Sequence, residues 1–300
     1  MYILFAAFAL VASVGNTISN RISSHKIGSV LSATIKAFMM TFACFIICIC
    51  FGNLKVIYSV NGRQWLLLIA LGLVTVVDWL FYFLALKRSY LEAFSCFEAS
   101  TILFASNLFF SIFMTESATV GGSTRNIILV AIGLLFVFAS MIYAVFNKKI
   151  NPIAKKSWVL FSIISAFSLA ATLVIATKIK ATGVPSDVVA FHQMSMVFGV
   201  FLIILLFSKE KFEIKKLNGR ITLDFFISAI FNAMMMVFRY IALGYENSNQ
   251  SVVNIIVGLD FVFVSIATVL FFKADNKKQI AILILLVVAG MILNALPALL

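Results

Sequence analysis

Five charged side chains stand where charge is hard to keep. Asp78, Glu98, Asp260, Lys36 and Arg239 each lie well inside a long apolar run. A charge at the centre of a bilayer costs about 2.5–3.5 kcal/mol on insertion scales, so each must be compensated or used. His192 is a further ionisable group in such a run. If both bases pair with acids, one carboxylate is left over, free to take a proton or to meet a cation. Asp78 and Tyr82 are four residues apart and share a helix face, with Trp79 beside them. Ring faces next to a carboxylate suit an amine, through cation–π attraction and one compensating charge. A proton can then compete with the bound amine, which makes Glu98, Asp260 and His192 candidates for proton coupling and the set Asp78, Trp79, Tyr82, Glu98, Arg239 and Asp260 the candidate substrate site.

Plainer roles fit the same residues. Arg239 and Asp78 also suit a buried structural pair holding two halves together. Trp79 also suits ordinary packing, since aromatics make up 14% of the chain. His192 fits a satisfied residue inside a bundle, and Lys36 fits either a carboxylate ligand or a snorkelling side chain. Asn16, Asn107, Asn232 and Asn254 read as helix–helix contacts by default, and the run of Met234 to Met236 as packing.

What carries these residues follows from composition. The chain has 300 residues, 63% hydrophobic and 11% charged, where soluble domains run near ~25% charged. Soluble enzymes, disordered chains and disulfide scaffolds are excluded, and the solvent for most of the chain is lipid. Apolar runs of about twenty residues occur ten times, from Tyr2–Asn20 through Glu92–Thr115 and Ser251–Phe272 to Gln279–Leu296. They are too long for barrel strands and lack alternation, so helices are expected. The first run has no basic leader and no small-residue cleavage site, and is expected to be retained. Pro152, Pro185 and Pro297 lie at or outside helix ends, so any unwound helix must come from glycine or polar residues. Cys44, Cys48, Cys50 and Cys96 fall inside the runs and read as small buried hydrophobes rather than a metal site.

Ten is twice five, and the halves align. FYFLAL at Phe81–Leu86 matches FRYIAL at Phe238–Leu243 with an offset of 157, which also pairs Phe104 with Phe261 and Gly133 with Gly290. KAF at Lys36–Phe38 meets VAF at Val189–Phe191 with an offset of 153. An odd number of spans per half turns one copy upside down relative to the other. The expected fold is all-α and integral to the membrane: ten transmembrane helices as two inverted five-helix repeats, 1–147 and 157–300, joined by a basic linker at 148–156. Such repeats are a transporter architecture with the site near midplane between halves. Tyr82 is the repeat mate of Arg239, so both should approach the pseudo-two-fold axis.

The stretch from Trp79 to Phe136 resembles the EamA family of the drug/metabolite transporter superfamily. There an aromatic YF-x-AL closes helix three, a small-residue helix four follows, and a loop Glu precedes a Gly-containing helix five. Glu116 and Gly133 stand at those last two places, Asp275 lies roughly at the second loop position, and Gly15-Asn16 fits helix one. The chain departs at Val14, where Trp is usual, and near Ile102 and Leu259, where helix four usually carries Pro. Lys36 lies where family members often carry a basic residue. The resemblance implies a carrier of small metabolites such as amino acids, nucleosides, amines or choline-like cations.

Catalysis has no motif to stand on. Asp78 and Asp260 lack the contexts of intramembrane aspartyl proteases, and H-E-x-x-H, G-x-S-x-G and a P-loop are absent. No ring of like charge or carbonyl filter suggests a channel. A secondary carrier of a small cationic or zwitterionic metabolite, coupled to protons or to exchange, is expected. A carrier of neutral solutes such as nucleosides, or a membrane scaffold that transports nothing, is the alternative. No enzyme activity, cofactor or metal is expected. The expected partners are a small-molecule substrate, protons and the lipid bilayer but not nucleic acid, as a monomer or homodimer.

The net charge of +12 then labels one membrane side. Loops after odd-numbered spans carry sixteen Lys and Arg, and loops after even-numbered spans carry five. The positive-inside rule puts the odd loops in the cytoplasm and both termini outside, in a multi-pass protein of the plasma (inner) membrane. The family resemblance implies the opposite, cytoplasmic termini.

Overall fold

In lipid every backbone N–H and C=O must be satisfied within its own segment, and the long apolar runs of this chain accordingly form helices. The computed structural model describes residues 1–24, 26–89, 97–102, 104–105, 124–147, 157–245, 250–271 and 276–299. Its helices are α1 (Tyr2–Ser24), α2 (Ser29–Cys50), α3 (Gly62–Leu86), α4 (97–102 and 104–105), α5 (Thr124–Phe146), α6 (Ser157–Lys180), α7 (Ser186–Phe207), α8 (Gly219–Leu243), α9 (Gln250–Gly258), α10 (Asp260–Phe271) and α11 (Lys277–Leu299). Short 3₁₀ helices cover Val56–Tyr58 and Lys209–Lys216. Among the described residues no strand occurs, and eight helices are long and apolar enough to cross a membrane. The protein is therefore an all-helical, multi-pass membrane protein. Most of the expected fourth span lies outside the described residues, as do Glu116, Asp275, Cys96, Asn107 and the linker 148–156.

The expected ninth span, Ser251–Phe272, is not one rod. It breaks at Leu259, between the end of α9 at Gly258 and the start of α10 at Asp260. The Leu259 N–H bonds back to Ile255 and Ile256, and the ladder restarts with the Val262 N–H on the Leu259 carbonyl. No proline is involved. Glycine followed two residues later by a helix-starting Asp supplies the break; Pro297, expected at or beyond a helix end, falls within the last turn of α11 instead.

Packing turns the usual polarity inside out. Along α2, Phe38, Phe42, Ile46 and Ile49 face outward, while Lys36, Met40, Cys44 and Cys48 recur every four residues on the buried stripe. Lipid solvates the first set, and the bundle interior holds the second. The main pairs are α1 with α8, α3 with α6, α2 with α7 and α5 with α11, and α3 also meets α7 as α8 meets α2. Exchanging α1, α2, α3 and α5 with α6, α7, α8 and α11 leaves this pattern unchanged. Gly133 and Gly290, which the 157-residue offset aligns, meet directly: a Cβ on Gly290 would lie 2.8 Å from the Gly133 carbonyl oxygen.

Loops gather at two ends of the bundle. At one end Lys26 pairs with Asp224 at 2.8 Å, Lys87 donates to the Ile27 carbonyl, and Arg88 donates to Ser157 Oγ at 3.2 Å. The start of α2 has no side-chain cap of its own. Glu213 accepts from the Gly28 N–H at 2.5 Å and Glu210 from the Leu31 N–H at 3.0 Å, so the 3₁₀ helix Lys209–Lys216 sets two carboxylates on the positive end of α2. At the other end Asn53 donates to both carboxylate oxygens of Asp187 at 3.0 Å, and Gln64 reaches Thr182. Asn61 and Gln64 start α3 with a reciprocal capping box.

The hydrogen bond from Lys216, with that from the Gly28 N–H, holds the Glu213 carboxyl below its ordinary value of 4.5. A folded-state value below the unfolded one stabilises above the ordinary value and is lost as pH falls through the folded one. Glu213→Gln should therefore lower thermal stability at pH 7, and the difference from wild type should close as pH drops below 4.5. Melting curves of both proteins across pH check this. A difference that persists in acid would contradict the assigned contact.

Candidate functional site

Seven described helices, α1 to α3 and α6 to α9, together with α4 and the first residue of α10, enclose a cavity of about 130 Å³. That is many times the roughly 10–15 Å³ one water requires, so the space is large enough for more than a single ordered water. Asp78, Trp79, Tyr82, Glu98, Arg239 and Asp260 all line it. Lys36 does too, with Asn16, Asn232 and Asn254 and two of the three consecutive methionines, Met235 and Met236. Residues that lie far apart in sequence on α1, α3, α8 and α10 are thus brought to one place. α5 and α11 do not line the cavity; with Trp158, Phe97 and Phe261 they build a separate apolar cluster beside it.

Lys36 is fully inside, 2% exposed, and does not snorkel. Its Nζ donates to Asn16 Oδ1 and Asn20 Oδ1, both at 2.6 Å, and sits 5.3 Å from the Trp79 ring centroid. Ser228 Oγ also donates to Asn20 Oδ1, at 2.7 Å, and the Asn20 amide donates to Tyr82 OH at 3.2 Å. A buried ammonium is thus held by carboxamide dipoles and a ring face rather than by a carboxylate.

The acids are held in the same neutral manner. Ser165 Oγ donates to Asp78 Oδ1 at 2.6 Å, and Ser13 Oγ donates to Asp260 Oδ2 at 2.6 Å. Asp260 opens α10 at the break, where the unpaired N–H groups of a helix start favour negative charge. Arg239 Nη2 donates to Asn254 Oδ1 at 2.8 Å. It forms no ion pair with Asp78; the ion pairs among the described residues, Lys26–Asp224 and Lys216–Glu213, both involve loop side chains at one end. Beside the charges runs a neutral relay, Tyr240 OH to Gln193 Oε1 at 2.6 Å and Gln193 Nε2 to Thr75 Oγ1 at 2.7 Å. Arranged so, the chamber gathers acidic and basic side chains that form no ion pairs with one another among the described residues.

His192 is not among the lining residues. Its Nε2 lies 3.2 Å from the Ile57 carbonyl, and its ring meets Trp65 edge-on at 4.8 Å, by the loop end that carries Asn53. Sequence reasoning missed Ser13, Asn20, Ser165, Gln193 and Tyr240. One signal was available on α1: Ser13, Asn16 and Asn20 are spaced three and four apart, a polar stripe in an apolar span. For Ser165 no signal separates it from other serines in apolar runs.

Residues 156–296 match the model of the EamA-like transporter family. That is the half in which the family's motifs fit less closely. Among solved structures, one crystal structure superposes with a TM-score of 0.66, covering 98% of this chain and 96% of its own, at 16% sequence identity. At that identity the likeness is one of fold. The search of curated proteins found no match.

Proposed function

On the premise that a chain matching EamA-like transporters over residues 156–296 is a membrane transporter of the drug/metabolite type, we propose that it is a secondary active carrier of a small cationic or zwitterionic metabolite. An amine, a choline-like compound or an amino acid fits, moved by alternating access with proton or exchange coupling. The observation that supports this reading is the cavity, where Asp78, Glu98 and Asp260 stand with Lys36 and Arg239 in one chamber. Such a chamber substitutes fixed dipoles and charges for the water a charged solute leaves behind.

Ten crossings in two inverted halves, 1–147 and 157–300, complete the proposal. The exchange-symmetric helix pairing and the contact of Gly133 with Gly290 support it. Rocking one half against the other around a central site then exposes the cavity to each side in turn. The charge bias supports a plasma-membrane protein with odd loops in the cytoplasm and both termini outside, and the gathering of Lys26, Lys87 and Arg88 at one end fits it. Tags on both termini should be reached from outside the cell; labelling only from the cytoplasm would refute that orientation.

Binding measurements on Asp78→Asn, Glu98→Gln and Asp260→Asn test the site. With a panel of cations and neutral solutes, at least one substitution should weaken a bound cation about 10-fold or more, and neutral solutes should be little affected. Unchanged cation binding in all three would end the carboxylate–cation reading.

A further inference from the structure

The 3₁₀ helix Lys209–Lys216, KEKFEIKK, joins α7 to α8 where the chain turns back at one end of the bundle. Residues three apart eclipse in such a helix, which gives it three faces. Glu210 and Glu213 share one face, and both are spent on backbone N–H groups at the start of α2, at Leu31 and Gly28. The other two faces carry Lys209, Phe212 and Lys215, and Lys211 with Ile214, all exposed. Phe212 is 68% exposed and Ile214 49%, and Phe207 at the end of α7 is 87% exposed. Both acids of the segment thus turn toward the protein, and its outward side presents lysines set among large apolar side chains.

Two features select what covers that side. Phe207, Phe212 and Ile214 gain by leaving water, and α7 and α8, each long and apolar enough to cross a membrane, set them where the hydrocarbon layer ends. Lys211 already folds back, with its Nζ 2.9 Å from the Leu206 carbonyl oxygen and 5.5 Å from the Phe212 ring centroid. Lys209 and Lys215 stand on the Phe212 face and call for an anion there. A lipid with a neutral headgroup would cover the rings and leave these ammonium groups to water; a soluble anion would do the reverse. We infer that this segment is a binding surface for anionic phospholipid, its headgroup phosphate meeting Lys209 and Lys215 while its acyl chains cover Phe212 and Ile214. The lipid then holds the segment onto α2 from outside, as Glu210 and Glu213 hold it from within. No cavity residue takes part, so the assignment stands or falls apart from the carrier reading.

The test uses the purified full chain in detergent, titrated with phosphatidylglycerol or with phosphatidylcholine of the same acyl chains, and bound lipid is counted by native mass spectrometry. One basic residue near an anionic surface is worth a factor of about five, so two lysines should favour phosphatidylglycerol about 25-fold. Lys209→Gln combined with Lys215→Gln should erase that preference. Phe212→Ser should weaken both lipids alike and leave the preference in place. Lys55→Gln combined with Arg63→Gln removes the same charge from exposed positions at the other end of the bundle and should change nothing. Equal retention of the two lipids, or a preference that survives the loss of Lys209 and Lys215, would overturn the inference. So would a preference lost equally with Lys55 and Arg63, which would make it a property of net charge alone. Displacement of the lipid by millimolar glycerol 1-phosphate, with Phe212→Ser without effect, would overturn it in favour of a soluble phosphate.

Discussion

Lys36→Met should cut the flux of a carboxylate-bearing solute by about 30-fold or more while leaving the bundle folded and no less resistant to heat. A unit charge about 8 Å from a bound charge, at an effective dielectric constant near 20, is worth about 2 kcal/mol, which is the 30-fold. For a zwitterion the loss falls on the carboxylate end, which the Lys36 field attracts. The substitution also removes the atom that ties α2 to Asn16 and Asn20 on α1 and rests over Trp79 on α3. Stability behaves differently. Exchanging a buried ion for an apolar side chain of similar length is often neutral or stabilising, because the desolvation cost disappears with the charge. Flux in proteoliposomes and a melting curve on the same preparation separate the two effects. Wild-type flux in Lys36→Met would contradict a place for this charge in the site, and a collapsed melting curve would make Lys36 a structural residue instead.

Gly290→Leu should prevent a stable bundle from forming. Even a lone Cβ at Gly290 would stand 2.7 Å from Val137 Cγ2 and 2.8 Å from the Gly133 carbonyl oxygen, and the latter is backbone that cannot swing aside. Overpacking by a methylene or two costs about 1–3 kcal/mol in a close-packed core, and leucine adds three further heavy atoms beyond that Cβ. The pair α5 and α11 has no other means of approaching so closely, since small residues are what let helices pack without a hydrophobic force between them. Gly133→Leu should fail for the same reason, with Asn294 Nδ2 2.4 Å from the added Cβ and the Gly290 carbonyl oxygen at 2.8 Å. Gly219, with open space around it, serves as a control, and Gly219→Ala should be tolerated. Yield and monodispersity after detergent extraction read the outcome. A monodisperse Gly290→Leu protein at wild-type yield would show that α5 and α11 do not pack as described.

Much of this was legible in the sequence because lipid imposes few and strong rules. Apolar run length locates the helices, and the cost of an intramembrane charge selects Asp78, Glu98, Asp260, Lys36 and Arg239, all of which line one cavity. The 157-residue offset that pairs Gly133 with Gly290 marks two residues that touch. His192 shows the limit of that rule: an imidazole satisfied by the Ile57 carbonyl can sit in a helix near a loop end, and the span alone does not tell its depth. Pairing was not legible either. Arg239 and Asp78 are of opposite type and line the same cavity, yet Asn254 and Ser165 hold them, because a neutral dipole within reach competes with an ion pair. Asn16, read as a helix–helix contact, makes such contacts: its oxygen accepts from Lys36 on α2 and from Ser228 on α8. The break at Leu259 was not legible: the run Ser251–Phe272 reads as one apolar span, and glycine marks a possible break without fixing that one occurs.

The central claim is that this cavity carries a charged solute across the membrane. Flux of amino acids, amines, choline and nucleosides into liposomes containing the purified chain, against empty liposomes, tests it most directly. Saturable, protein-dependent uptake of an ammonium-bearing solute is predicted, accelerated by the same solute on the far side and lost in Glu98→Gln. No saturable flux for any of these solutes would contradict the account and leave a membrane scaffold in its place.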